Sequence, residues 1–199
     1  MISGPGAGGI IGPMAMTSRL ATVADLPALL PLVDAAIERL LTPWLDAEQI
    51  RASRRIMGLD TRLIEDGTYV VVEIDGRPAG CGGWSRRTTL YGGDHTPGRD
   101  DALLDPATQP ARIRAMYTDP GFARRGVGML VLRRCEAAAA AEGFTRAELM
   151  ATVAGRPLYE AAGYRVDEEF DDTSTGVRIP LARMSRTIGP GAAAAGASW

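Results

Sequence analysis

The chain has 199 residues, 46% of them hydrophobic, which suits one globular domain with a core of its own. Its formal net charge is −2, so it lacks the basic footprint that nucleic-acid binding needs, and no nucleic acid is expected as a partner. No apolar run approaches the roughly 20 residues that cross a bilayer, and the N-terminus has no basic stretch ahead of an apolar one, which excludes a membrane span and points to a cytoplasmic protein.

Residues 1–17 are rich in glycine and proline and are expected to form a flexible segment; residues 189–199, rich in glycine and alanine, read as a tail. Between them, residues 18–188 show no repeat or linker and read as a single domain. A short strand is predicted over Ser18–Thr22. A helix follows, capped by Asp25 and opened by Pro27, with apolar residues recurring at Leu29, Leu32, Val33, Ala36, Ile37 and Leu40. A second helix is predicted over Asp46–Met57. Tyr69–Ile74, the turn Asp75-Gly76 and Arg77–Thr88 form the clearest hairpin.

Residues 90–110 form a long polar loop of the length that often carries function. Ala111–Thr118 reads as a strand, Gly126–Glu142 as an amphipathic helix and Arg146–Ala151 as a strand. Arg156–Ala162 reads as a short helix with Gly163 at its C-terminal cap, followed by strands near Tyr164–Phe170 and Gly176–Met184. This order predicts an α/β fold, a mixed sheet flanked by helices. Cys81 and Cys135 lie far apart without metal-ligand spacing, so reduced core thiols and no metal are expected.

The segment ARIRAMYTDPGFARRGVGMLVL, Ala111–Leu132, carries the chemistry. A strand delivers the chain through a glycine loop to the start of a helix. There the free N–H groups and about half a positive charge attract phosphate. Gly126 and Gly128 remove side chains where a backbone must approach an anion, and Arg124 and Arg125 add charge. A P-loop would need a lysine, and the chain has none; a dinucleotide fingerprint would need a third glycine where Val131 stands.

The stretch Ala123-Arg124-Arg125-Gly126-Val127-Gly128 resembles the acetyl-CoA signature of the GNAT superfamily of N-acetyltransferases, with Ala123 in place of the usual first Gln or Arg. ELMATVAGRPLYEAAGY, with Tyr159 and Gly163-Tyr164, resembles the family's second element, and Thr152 stands where many relatives carry Asn. The resemblance implies a splayed mixed β-sheet flanked by helices. It also implies acetyl-CoA as co-substrate, held by Met116, Tyr117 and Thr118 and by Arg124, Arg125, Gly126, Val127, Gly128, Met129 and Thr152. A backbone N–H near Met116 or Tyr117 would meet the thioester oxygen, and Tyr159 would protonate the leaving thiolate. The implied activity is direct acetyl transfer to a primary amine of a small molecule or peptide. Separately from the resemblance, a homodimer is an expected assembly.

A general base must also be found, because an alkyl ammonium has a pKa of about 10. Glu73 on the hairpin strand and His95, the single histidine, are comparable candidates, with a water relay as the alternative. Gly80, Gly82 and Gly83 imply close approach of a backbone or a ligand. Trp84 and Arg86 then either line the acceptor pocket or serve as a core residue and a solvated charge. Asp94, Asp100, Asp101 and Asp105 give the long loop local negative charge for a cationic acceptor. The alternative function is a non-catalytic acyl-CoA-binding module.

Overall fold

The computed structural model describes residues 15–96 and 98–189 of the chain. Strand β1 (Met16–Leu20) leads through a 3-10 turn to helices α1 (Leu26–Leu41), α2 (Ala47–Ile56) and α3 (Thr61–Glu65). The hairpin β2 (Tyr69–Ile74) and β3 (Arg77–Ser85) follows, then a long strap and β4 (Ala111–Thr118). The remaining elements are α4 (Val127–Ala141), β5 (Arg146–Thr152), α5 (Arg156–Ala161), β6 (Arg165–Asp172) and β7 (Ile179–Thr187).

Local chemistry accounts for most of these boundaries. Asp46 accepts from the Gln49 N–H at 2.8 Å while the Gln49 side chain accepts from the Asp46 N–H at 3.1 Å, a reciprocal cap that starts α2. Asp75 and Gly76 both have positive φ, 51° and 75°, as the two-residue hairpin turn requires. The short α3 is an addition to the sequence expectation, since one turn and a half leaves no periodicity to read. Its start is fixed by Asp60, which accepts from the Arg62 N–H at 3.2 Å.

Among the described residues seven strands form one mixed sheet in the order β1-β2-β3-β4-β5-β7-β6, with β4 and β5 as its parallel pair. One face is covered by α4, whose Val127, Val131, Leu132 and Cys135 pack with Val72, Trp84, Ile113 and Leu149. On the other face α1 packs Leu29, Leu32 and Val33 with Tyr69, Val71, Cys81 and Tyr117. A smaller cluster joins α2 to β7 through Ala52, Ile56, Ile179 and Leu181. Both cysteines are free and fully buried, and burial pushes the Cys81 thiol up to about 12, so neither is an available nucleophile.

The close approach implied by the β3 glycines is made by α4 and by the neighbouring strand. A Cβ on Gly80 would stand 2.4 Å from Val127 Cγ1, and one on Gly82 would stand 2.7 Å from Met116 Cγ and 2.8 Å from Val131 Cγ1. These glycines therefore seat a helix. The expected tails fall mostly outside the described residues, at 1–14 and 190–199. Met16 and Thr17 already belong to the sheet, opposite Ile74 and Glu73. Among the described residues no helix is long and apolar enough to cross a membrane.

Candidate active site

The parallel pair β4–β5 is short. Ala111, Arg112 and Ile113 pair with Ala147, Glu148 and Leu149, and there the ladder stops. A buried ion pair between Arg112 and Glu148 closes this end, with Arg183 Nη1 3.3 Å from the same carboxylate. Beyond Ile113, β4 stays with β3 as far as Thr118, while β5 stays with β7 as far as Thr152. The two strands separate and leave a cleft enclosing about 100 Å³, lined by residues 113–117, Thr152, Gly155 and Tyr159, by Ile56 and Met57, and by residues of the strap. An open strand edge of this kind can pair with the amides of an extended ligand.

At the cleft, β4 carries a bulge. Cys81 faces Tyr117 and Gly83 faces Arg114, so Gly82 stands opposite two residues, Ala115 and Met116. Ala115 has φ of 49°, a left-handed conformation that costs a non-glycine residue about 1–2 kcal/mol. The Tyr69 hydroxyl holds this turn by donating to the Ala115 carbonyl at 2.9 Å. No described peptide is cis, so the Met116 N–H points opposite to that carbonyl, away from Tyr69 and the β2–β3 side. Periodicity carried no sign of this device. The one available signal was a tyrosine in the apolar run YVVVEI, whose hydroxyl must find a partner once buried.

The glycine loop sits at the start of α4. Asp119 accepts from the Gly121 N–H at 2.7 Å, and the chain then passes through Arg124 at φ 65° and Gly126 at φ 85°. The first intrahelical bond is Leu130 N–H to Gly126 O, which leaves the N–H groups of Val127, Gly128 and Met129 without helical acceptors. Backbone strain at Arg124 alongside free N–H groups is typical of an anion cradle. Arg124 and Arg125 are both exposed, with the Arg125 guanidinium 5.6 Å from the Phe122 ring. Val127 buries its side chain against Gly80, so only its backbone faces outward. The two glycines differ: Gly126 is needed for its φ, with open space around it, whereas a Cβ on Gly128 would lie 2.9 Å from Leu158 Cδ2. Gly128 thus brings α5, and with it Tyr159, against α4.

Tyr159 lines the cleft in edge-to-face contact with Tyr164, ring centres 5.9 Å apart. Burial raises its hydroxyl well above the ordinary tyrosine value, so it stays protonated at neutral pH. Thr152 ends β5 and accepts from the Gly155 N–H at 3.1 Å, fixing the turn into α5. Tyr117 is turned to the α1 face, where its hydroxyl accepts from the Gly58 N–H at 2.8 Å and donates to the Gly58 carbonyl at 3.1 Å. Met116 lines the cleft, and Thr118 Oγ1 lies beside Gly128.

The base candidates are not brought together. Glu73 is 2.8 Å from Arg19, which also binds Asp25 at 2.6 Å, and it does not line the cleft. His95 is exposed, its ring over Gly58, the residue after Met57 of the cleft wall. Of the two readings for Trp84 and Arg86, the core residue and the surface charge fit their surroundings, since neither lines the cleft. Trp84 is 2% exposed and stacks edge-on with Phe144, while Arg86 pairs with Glu142 at 2.6 Å and lies over the Trp84 ring. Glu142 caps the C-terminus of α4, about 22 Å along the helix from the glycine loop.

The strap is anchored in the site by groups that gave no sequence signal. Arg114 is 2.8 Å from Asp60 and donates to the Gly92 carbonyl at 3.1 Å, and Arg99 meets Asp60 at 2.8 Å. Tyr91 of the strap donates to Asp172 at the end of β6 at 2.8 Å, and burial with that carboxylate pushes its hydroxyl up to about 12.

Comparison with known proteins agrees with this geometry. The family model described as Acetyltransferase (GNAT) family matches residues 32–164, more than half of the chain. A comparison with curated protein sequences gave no match. Among solved structures, a GCN5-related N-acetyltransferase from Rhodopseudomonas palustris is similar at 18% identity and a TM-score of 0.64, covering 89% of this chain and 100% of its own. The PaiA N-acetyltransferase of Thermoplasma acidophilum, in complex with coenzyme A, is similar at 13% identity and a TM-score of 0.60, covering 87% and 99%. The ribosomal-protein-S18-alanine N-acetyltransferase of Escherichia coli is similar at 16% identity and a TM-score of 0.54, covering 88% and 95%. At these identities the structures share the fold, and the family match carries the assignment. A splayed β4–β5 cleft with a glycine loop at the helix start, on a chain matched by that family model, makes this protein a member of the GNAT acetyltransferase family.

Proposed function

We propose that the protein transfers the acetyl group of acetyl-CoA to a primary amine by direct attack, with both substrates bound. The observation that carries this reading is the cleft between β4 and β5, with a strained bulge on its wall and α5 bringing Tyr159 to it. The free N–H groups at the start of α4, with Arg124 and Arg125, fit the phosphates of the coenzyme. The exposed edge of Ala115–Thr118 fits the amides of its pantetheine arm.

Acetyl-CoA supplies the activated acyl group. The chain's part is to orient it, to present the Met116 N–H to the carbonyl oxygen as negative charge develops there, and to hold the Tyr159 proton for the departing sulfur. Proton removal from the amine falls to water, with His95 as the nearer of the two candidates, since it lies beside Gly58, the residue next to Met57 of the wall. Isothermal titration with acetyl-CoA, followed by assay of free thiol with a panel of amines, tests the proposal. Coenzyme binding without thiol release under any amine would favour the binding-module reading instead.

A further inference from the structure

The cleft has two ends. Thr152, Gly155 and Tyr159 form the end nearest α5 and the glycine loop, which the coenzyme would occupy. The wall left for the amine consists of Ile56 and Met57 from the end of α2, Leu90 and Tyr91 from the strap, Met150 and Leu181. These six residues are apolar or aromatic, and five of them also belong to the α2–β7 hydrophobic cluster.

Among the described residues no carboxylate lines the cleft. The four strap aspartates are engaged elsewhere. Asp94 accepts from the Thr61 N–H and Oγ1 at 2.9 and 3.0 Å, and Asp100 accepts from the Ala102 N–H at 2.9 Å. Asp101 faces Arg62 at 3.3 Å, and Asp105 accepts from the Ala107 N–H at 3.0 Å. Among the described residues Arg114 is the one charged member of the lining; its side chain is 2% exposed and its charge is met by Asp60, leaving it no carboxylate of a ligand to receive. The Tyr91 hydroxyl is committed as donor to Asp172, and the Gly92 carbonyl to Arg114. A second ammonium or a carboxylate on the acceptor would therefore be stripped of water without a counter-charge.

Resting on the acetyltransferase reading above, we propose that the acceptor is a primary monoamine carried on an apolar or aromatic body, and not a polyamine or a free amino acid. The apolar wall takes the body from water, and the single nitrogen reaches the acyl carbon beside Met116.

Two matched pairs test this: hexylamine against hexamethylenediamine, and isopentylamine against leucine, each assayed by thiol release from acetyl-CoA. The monoamine of each pair should show kcat/KM at least tenfold higher. Leu90→Asp puts a carboxylate on the wall at a half-buried strap position and should narrow the hexylamine preference at least tenfold, while Leu90→Asn should not. Met57→Asp serves in the same way if Leu90→Asp does not fold by thermal melting. Equal or better use of the diamine or of leucine overturns the proposal, as does absence of transfer to any of the four amines by a protein that binds acetyl-CoA. Calorimetry showing no acetyl-CoA binding would instead remove the acetyltransferase reading itself.

Discussion

The Tyr69 hydroxyl on β2 donates a 2.9 Å hydrogen bond to the carbonyl of Ala115, two strands away on β4, and so aims the Ala115–Met116 peptide. Tyr69 is fully buried, with Cys81 Sγ 3.3 Å from the same hydroxyl. It touches no substrate and acts through the peptide it holds. Tyr69→Phe keeps the ring and leaves the Ala115 carbonyl unpaired, at a cost of about 1–3 kcal/mol in stability. If the peptide turns, kcat should fall about tenfold to a hundredfold while acetyl-CoA affinity stays close to wild type. Denaturant melts beside steady-state assays check this, and a destabilised variant with undiminished kcat would leave Tyr69 a purely structural role.

The two glycines of the loop should fail in different ways. At Gly126 the obstacle to a side chain is φ of 85°, since a Cβ there meets nothing within 4 Å. Gly126→Val should distort the cradle and weaken acetyl-CoA binding at least tenfold, about 1.4 kcal/mol. Gly128→Val should push on Leu158 and displace α5, lowering kcat as well because Tyr159 rides on that helix. Calorimetry and turnover on both variants separate the effects. Wild-type affinity in a folded Gly126→Val protein removes the loop from coenzyme binding.

Tyr159→Phe deletes the hydroxyl and keeps the packing against Tyr164. Because a thiol with a pKa of about 8.5 leaves without much help, the expected fall in kcat is near the lower end of the general acid range, about a hundredfold. Burial disfavours the phenolate, so the hydroxyl remains a proton donor past the ordinary tyrosine pKa of about 10. The kcat–pH profile of the wild-type protein should therefore show no alkaline fall from this group below about pH 10. An unchanged kcat for Tyr159→Phe, measured where chemistry limits turnover, excludes it from the reaction.

Asp25 is held below the usual carboxylate range, first by its hydrogen bonds with Arg19. A depressed folded value means that the unfolded chain binds this proton more readily. The stabilisation is complete above the unfolded pKa of about 3.9 and is lost as pH falls through the folded value. Asp25→Asn should lower stability at pH 7 and flatten its decline on the acid side. Urea denaturation at neutral pH and near pH 3 reads both effects, and a difference from wild type that is the same at the two values would detach Asp25 from the acid response.

Most of the elements could be read along the chain because their signals lie within a few residues of one another. The Asp75-Gly76 turn, the helix start at Asp46, the run Ala111–Thr118 and the glycines opening α4 are stereochemical or periodic requirements of the local backbone. The glycine loop before α4 was legible for the same reason, as was the place of Tyr159 behind a proline-opened turn. Whether Glu73 or Trp84 faced the cleft was not, because a strand position alternates between two surfaces and only packing decides which surface becomes the site. Glu73 went to Arg19, 54 residues away, and Trp84 to Phe144 beneath α4. The bulge at Ala115, its anchor at Tyr69 and the apolar wall assembled from α2, the strap and β7 arise only once the sheet splays beyond Ile113. Sequence determined the parts that answer to neighbours along the chain, and the tertiary structure decided those that depend on which distant residues the sheet register brings together.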